Sequence, residues 1–594
     1  MDRFNPLRNR RLYNNNPEQQ RNLSLALANG GCIGGLLNDG NTCFMNSVIQ
    51  CLASSNELCD FLELITKSED RSFSIELKRL IDNLNSRHGK KVVTYKTNRL
   101  LKSLTNGPNK RLFLGYDQED AQEFYQLIMQ QLEKDIKPDQ EKKQKEVNPR
   151  DLFVSRTNDM VYGLENLGAL GKCYVPALQV DPSAVDAEGK VYPLELLTPV
   201  DGLSCERIGC LTCGEMGGIR YSTISGIGLN LPSSKQPSIS LTTLLDNWIA
   251  PEVIEDVECV RCGLRQIRQF VQVSLDAASN EKLRAVFQSR IDEIDSELSK
   301  PVIDEEVYKK LHTKNMIKKS KKVKQIFFSR PPPLLCVHIN RSVFDPNTYM
   351  IRKNNAKVVF SERLDLSNYV AVPDDVNMDA RLSFRKQDEG KEKSWTQEFS
   401  EKEQRIQDQQ EDEGTDVGPL TYSLKSIICH YGTHNYGHYI AFRKYRGVWW
   451  RISDETVTVS DLEEVLNTSG TFMMFYELSQ RNDNRDIIQL IDVNNIEITD
   501  GSEEMKGQET DHSTRSNQFS ASDVNVDHLS SDLEAEEAEE HSESESSSES
   551  GSDQESEYQQ QLDSGESIIG NYNNDTENTS SEERVDQALL QANL

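Results

Sequence analysis

The chain of 594 residues has no run of eighteen apolar residues, so it offers no stretch suited to crossing a bilayer as a helix. Its first segment, Met1 to Asn29, is rich in Arg and Asn and lacks the apolar middle of a secretion signal. Basic residues are not in surplus: 67 Lys and Arg stand against 96 Asp and Glu, a formal charge of −29. No nucleic-acid partner is expected. Histidine is scarce. Nine occur, and only His88, His312, His338, His430, His434 and His438 precede residue 481, which shortens the search for a catalytic base.

The acidity is unevenly placed. About 30 acidic and 5 basic residues lie between Arg481 and Leu594, leaving the first 480 residues close to balance. This tail, with its Ser- and Glu-rich run from His541, has too few apolar residues to bury a core and is expected to be disordered. Residues 387–415 have the same character and read as an acidic, disordered insertion. Residues 280–325 read as a charged insertion ending in Lys318, Lys319, Lys321, Lys322 and Lys324. A solvated helix face is the simple reading of that cluster; an anionic lipid, a nucleic acid or the acidic tail is the alternative partner. The expected division is a flexible leader over 1–31, one catalytic domain over 32–480 and a tail over 481–594.

Between 32 and 480 helical and strand-like patterns alternate, an α+β arrangement. Residues 117–132 place Ala121, Phe124, Leu127, Ile128 and Leu132 on one side of a helix. Residues 334–339 read as a buried strand after Pro331-Pro332-Pro333, and 437–445, 448–452 and 472–478 as a run of antiparallel strands.

Twelve cysteines are present, and Cys43 stands apart from the rest. Gly40 and Asn41 form turns, Asn41 or Thr42 can cap a helix, and Val48, Ile49, Leu52 and Ala53 follow at helical spacing. A thiol on the first turn of a helix meets unpaired backbone N–H groups and the positive dipole end, both of which favour the thiolate. Asn38, five residues upstream, brings a side-chain amide within reach of an oxyanion. A nucleophilic thiol needs a base and a group that orients the base. His438 suits the role of base, because Gly437 before it lets the chain pass close to a substrate and the strand after it holds the ring. His430 and His434 read as surface or loop histidines. Fifteen residues beyond His438, Ser453 or Asp454 is placed to accept the imidazole N–H.

Cys210-Leu211-Thr212-Cys213 and Cys259-Val260-Arg261-Cys262 form two knuckles. Four thiolates complete a tetrahedral zinc shell and leave no position for a catalytic water, so the expected ion is single and structural. Cys173 and Cys205 read as ordinary buried thiols. Paired cysteines in a long chain suggest a reducing compartment, with the cytoplasm as the default.

The Cys43 box and the Gly437-His438-Tyr439 box resemble those of ubiquitin-specific proteases, over about residues 32 to 478. The resemblance implies a papain-like thumb and palm with a β-rich, zinc-bearing fingers subdomain. It implies a thiol protease cutting after the C-terminal glycine of ubiquitin, with ubiquitin and ubiquitinated proteins as partners. Gln118-Glu119-Asp120-Ala121-Gln122-Glu123-Phe124 is similar to the family's acidic helix, which implies that Asp120 and Glu123 read ubiquitin's basic tail and that the passage by Gly437 admits only glycine. Within the family the boxes resemble a membrane-anchored subgroup, which implies a membrane-associated role although this chain shows no span. Ser453 stands where most relatives carry Asn or Asp; being neutral, it can orient His438 without stabilising an imidazolium. Ser453 is the expected orienter, with Asp454 shaping the oxyanion region. A protease for a ubiquitin-like modifier and a catalytically silent ubiquitin-binding adaptor are the alternatives.

Overall fold

The structure is a computed structural model. It describes residues 17–479 apart from 68–70, 105–119, 138–148, 185, 234–235, 313–317, 346–348, 391–417 and 434–435. The tail, most of the acidic insertion, the first sixteen residues, His434, Gln118 and Glu119 lie outside the described residues.

As far as Ile136 the described chain is mainly helical. α1 (Pro17–Ala28) opens on a proline, which suits a first turn because the missing N–H would have no partner there. The leader expected to be flexible over 1–31 is therefore, in its second half, a docked helix. Asn22 Nδ2 donates to the Ser460 carbonyl at 3.2 Å, Asn29 Nδ2 to the Arg446 carbonyl at 3.1 Å, and Ala26 is buried. Leu23 and Leu27 remain exposed, so this helix lacks the apolar stripe by which periodicity reveals one. α2 (Cys43–Leu52) is buried along its whole length. α3 (Asn56–Ile65) is capped by Ser55, whose hydroxyl accepts the Leu58 N–H, and α4 (Ser72–Leu84) follows. The helix expected over 117–132 is α5 (Ala121–Ile136), displaced because Asp120 has extended backbone and caps it, its carboxylate taking the Gln122 N–H at 2.7 Å. The five apolar residues assigned to its inner face are all buried.

From residue 202 strands dominate. β1 (Gly202–Cys210) and β2 (Met216–Ile224) form a hairpin, followed by β3 (Ile227–Asn230) and β4 (Glu252–Glu258). α6 (Val260–Ala277) ends just before the stretch expected as a charged insertion, which holds α7 (Glu281–Leu298), α8 (Glu305–Leu311) and the first half of β5 (Lys319–Arg330). The lysine cluster is thus a strand and not a helix face. It lies in a sheet of order β4–β5–β1–β2 between two strands that carry acids, and Lys321 pairs with Glu255 at 2.6 Å and Lys324 with Glu206 at 3.1 Å. Cross-strand neutralisation explains why these lysines tolerate one another.

The remaining principal strands are β6 (Leu334–Asn340), β7 (Ser342–Asp345), β8 (Met350–Lys353), β9 (Arg363–Asp365), β10 (Thr421–Gly432), β11 (Gly437–Tyr445), β12 (Val448–Ser453), β13 (Thr456–Ser460) and β14 (Thr471–Leu478). β7 and β8 form their own hairpin. The others build one sheet of order β13–β12–β11–β10–β14–β6–β3, with β9 on β10. The strands expected at 437–445, 448–452 and 472–478 are present and antiparallel, but the last pairs with β10 and β6 in the middle of the sheet and not with β12.

One core lies between this sheet and α2 to α5, where Val48, Ile49, Phe124 and Ile128 meet Ile428, Ala441, Trp450 and Phe475. A second lies on the sheet's other face, under Leu244, Val358 and Leu366. Each large apolar side chain fully buried there contributes about 1.5–3 kcal/mol. Because both faces are covered, all eight residues of β14 are buried and its sequence shows no alternation. A helical lobe, a broad sheet and a four-stranded sheet bearing the cysteine knuckles give the three-part α+β layout implied by the resemblance. Among the described residues no helix is long and apolar enough to cross a membrane.

Candidate active site

Cys43 opens α2, and the strand that carries His438, β11, packs beside it, near enough for the backbone N–H of Tyr439 to act on the Cys43 thiol. Burial pushes this thiol above its ordinary value. N–H groups of Tyr439, Phe44 and Cys43 pull the other way, as a helix start should, but they do not cancel burial and the adjacent Asp454 charge. The helix-start N–H groups thus act in the expected direction and favour the thiolate, but desolvation outweighs them in the resting site. Thr42 stands at the N-cap position without a capping hydrogen bond. Its hydroxyl instead accepts the Asp39 N–H at 3.1 Å and donates to Asn38 Oδ1 at 3.2 Å.

His438 Nε2 lies 2.8 Å from Ser453 Oγ and 3.8 Å from Asp454 Oδ2. The first is a hydrogen bond and the second is not. Asp454 turns the chain from β12 into β13 with φ +52°, a left-handed conformation that an aspartate tolerates better than most side chains. Its carboxylate is held from two sides: Asn46 Nδ2 donates to Oδ1 at 2.7 Å and Asn38 Nδ2 to Oδ2 at 3.0 Å. Burial raises the Asp454 carboxyl, and the Asn46 bond, His438 and the Asn38 bond offset this only partly. Asn38 is thus engaged. One amide hydrogen goes to Asp454, and Oδ1 accepts the Thr42 N–H at 3.1 Å, which leaves its second amide hydrogen for another acceptor.

Asp120 caps α5 beside the same strand, since its charge and the Ala121 N–H both act on the Tyr439 phenol. Glu123 lies one turn on and is exposed. Gly437 has a reason within the fold: a Cβ there would fall 2.1 Å from His430 Nε2 and 2.3 Å from the Tyr431 carbonyl. Passage of a substrate is not needed to explain that glycine.

Three residues escaped the sequence reading. Asn46, which clamps Asp454, sits three positions after Cys43 on the same face of α2; a polar side chain in a mostly apolar helix, beside Ser47 and Gln50, was its only signal. His430, read as a surface or loop histidine, is 6% exposed on β10. Lys353 at the end of β8 contacts it through a 3.0 Å Nζ to Nδ1 bond.

The cysteine knuckles converge. The sulfurs of Cys210, Cys213, Cys259 and Cys262 all lie within 4.8 Å of one another. Cys210 and Cys262 are 3.8 Å apart and Cys213 and Cys259 3.5 Å, so this cluster could hold a metal ion. Arg261, inside the second knuckle, bonds Glu215 at 3.1 Å and donates to the Leu298 carbonyl at 2.7 Å, tying the end of α7 to the cluster. Cys173 and Cys205 take no part and are ordinary buried thiols, donating to the carbonyls of Leu194 and Phe327.

A family model described as ubiquitin carboxyl-terminal hydrolase matches residues 34–476. The chain belongs to this family. It is 36% identical to ubiquitin carboxyl-terminal hydrolase 1 of Saccharomyces cerevisiae, over 81% of this chain and 84% of that protein. It is 22% identical to ubiquitin carboxyl-terminal hydrolase 30 of Xenopus tropicalis, over 76% of this chain and 82% of the other. Among solved structures, a SAGA deubiquitinating module bound to ubiquitin aldehyde aligns with a TM-score of 0.42 and 18% identity, over 78% of this chain and 71% of that one. As a ubiquitin carboxyl-terminal hydrolase, the chain is a deubiquitinating thiol protease.

Proposed function

We propose that Cys43 is the nucleophile and His438 the base of a hydrolase that cleaves peptide and isopeptide bonds after the C-terminal glycine of ubiquitin. The observation that carries the assignment is the 2.8 Å contact between His438 Nε2 and Ser453 Oγ. It commits one ring nitrogen to the orienter and leaves Nδ1 for the thiol, which sits at the start of the helix packed against the His438 strand. Cys43 Sγ gives its proton to Nδ1 and attacks the glycine carbonyl carbon. The resulting oxyanion is held by the Cys43 N–H and by the Asn38 amide hydrogen that Asp454 does not use. His438 then protonates the leaving amine, the C–N bond breaks, and a thioester remains. Water attacks that thioester with His438 as base, releasing the ubiquitin carboxylate and restoring the thiol.

Asp120 and Glu123 read the basic tail of ubiquitin in this proposal, supported by the place of the α5 start beside Tyr439. The metal at the four cysteines is a structural zinc. Zinc–sulfur bonds of about 2.3 Å in a tetrahedron separate the sulfurs by about 3.8 Å, in line with the 3.5 and 3.8 Å separations of the cysteine pairs. All four positions of such an ion are taken by thiolates, so it holds the knuckles together and adds no chemistry at Cys43.

The test is cleavage of a fluorogenic amide at the C terminus of ubiquitin. Cys43→Ser and His438→Ala are expected to lose turnover while still binding ubiquitin. Cleavage retained by either variant overturns the assignment, and preferential reaction with a ubiquitin-like modifier would move the substrate class.

A further inference from the structure

Eight residues before His438, the buried His430 lies opposite Tyr439 across the β10–β11 pair. The two rings stack with centroids 4.4 Å apart and planes 24° from parallel. Phe472 meets both edge-on, at 6.4 Å from His430 and 5.7 Å from Tyr439. Lys353 reaches into this group from the end of β8. Its Nζ lies 3.0 Å from His430 Nδ1, 2.7 Å from the His430 carbonyl oxygen and 3.3 Å from the Gly432 carbonyl oxygen. An ammonium has three donors and here meets three acceptors. The match makes Nδ1 an acceptor, so a neutral ring carries its proton on Nε2, the nitrogen beside Gly437. The strand passes so close there that a single Cβ would collide with the ring. The main chain of His430 is also fixed, its N–H donating to the Gly470 carbonyl at 2.9 Å.

Tyr439 joins this packing to the chemistry, because it follows His438 directly, shares a buried cluster with Cys43 of α2, which packs against β11, and presents an N–H whose field acts on the thiol. We propose that Lys353 and His430 are positioning residues for the thiol and imidazole: Lys353 fixes the ring of His430, and that ring buttresses β11 so that His438 and the Tyr439 N–H stay aligned on Cys43. The inference rests on Cys43 and His438 being the nucleophile and base. Lys353 is kept here at a cost, since burial, and then the Arg341 guanidinium, bring its pKa down to about 8. A lysine serving only solubility at a strand end would face water.

The experiment compares Lys353→Met, Lys353→Arg and His430→Phe with the full chain, using the ubiquitin C-terminal amide and recording kcat, KM and the thermal midpoint. Lys353→Met is expected to lower kcat about tenfold with KM within about twofold, the pattern of an alignment lost after binding. Lys353→Arg, which keeps charge and donors, is expected to recover part of that loss. An unchanged kcat in Lys353→Met, or a rise in KM alone, overturns the proposal. Should Lys353→Met fail to fold, His430→Phe decides: it keeps a stacked ring without Nδ1, and a wild-type kcat overturns the proposal while a selective fall in kcat supports it. Cys43→Ala is run beside them, because activity remaining there would sink the nucleophile assignment itself, whatever Lys353 does.

Discussion

A serine can hold an imidazole in place but cannot neutralise it, and the two residues at the end of β12 divide those roles in the proposed mechanism. Ser453 makes the hydrogen bond to His438, while Asp454 stands 3.8 Å away as the nearby negative charge. Two opposite charges at about 4 Å attract by on the order of 4 kcal/mol at an effective dielectric of about 20, and solvent at the His438 side chain, 41% exposed, reduces this. The same carboxylate raises the resting thiol, so it opposes ionisation of Cys43 before His438 is charged and favours the ion pair afterwards. Asp454→Asn is therefore expected to speed iodoacetamide alkylation of resting Cys43 near neutral pH while lowering kcat by about ten- to a hundredfold. Ser453→Ala should lower kcat and leave alkylation near the wild-type rate. Full turnover in Ser453→Ala together with its loss in Asp454→Ala would reverse the two roles.

At the scale of elements, the four cysteines matter because they bring the ends of several elements to one point. Cys210 and Cys213 lie at the β1–β2 turn and Cys259 and Cys262 at the β4–α6 junction, and Arg261 binds the end of α7 to the same point. Zinc bound by the four sulfurs would hold these elements in one arrangement, as the proposed role requires. About one zinc per chain is expected by elemental analysis of native protein, and its removal by a strong chelator should lower the thermal midpoint and expose the 202–330 region to protease. The chemical step does not pass through that ion, so thiol alkylation and not chelation should be what abolishes turnover in the folded enzyme. A metal-free native sample with an unchanged midpoint would contradict the structural role. The docking of α1 is a second effect at this scale: Asn22 ties it to Ser460, at the far end of the β12–β13 hairpin that turns after Ser453.

Taken whole, the molecule keeps many thiols away from water, and this sets its response to alkali. Burial pushes Cys51 up to about 12 and Cys173 and Cys429 up to about 11, from an ordinary value of 9.0. The unfolded chain gives up these protons first as the pH rises, while the folded chain retains them. Stability is fully present below about pH 9 and falls progressively as the pH climbs toward the raised values. A urea midpoint lower at pH 10 than at pH 8, with an unchanged slope, is the expected result; a flat or rising midpoint would contradict it.

Much of the active site was legible because its chemistry is written locally. A turn before a helix marks Cys43, a glycine before a strand marks His438, and two Cys-x-x-Cys pairs mark the cysteine cluster that could hold a metal ion. Helix α5 was legible from the spacing of its apolar residues. The order of strands was not, since local patterning does not say that β14 lies between β10 and β6. Asn46 and Asp454 are 408 positions apart, and Lys353 and His430 are 77 apart. Their partners exist only once the sheet has closed against α2, so tertiary packing made a buried buttress of a histidine that reads as a surface one. Packing also decided that burial outweighs the helix-start field at Cys43. Residue types and spacing pointed to the proposed nucleophile and base, whereas the burial and charge that set how readily the thiol ionises come from segments hundreds of residues away.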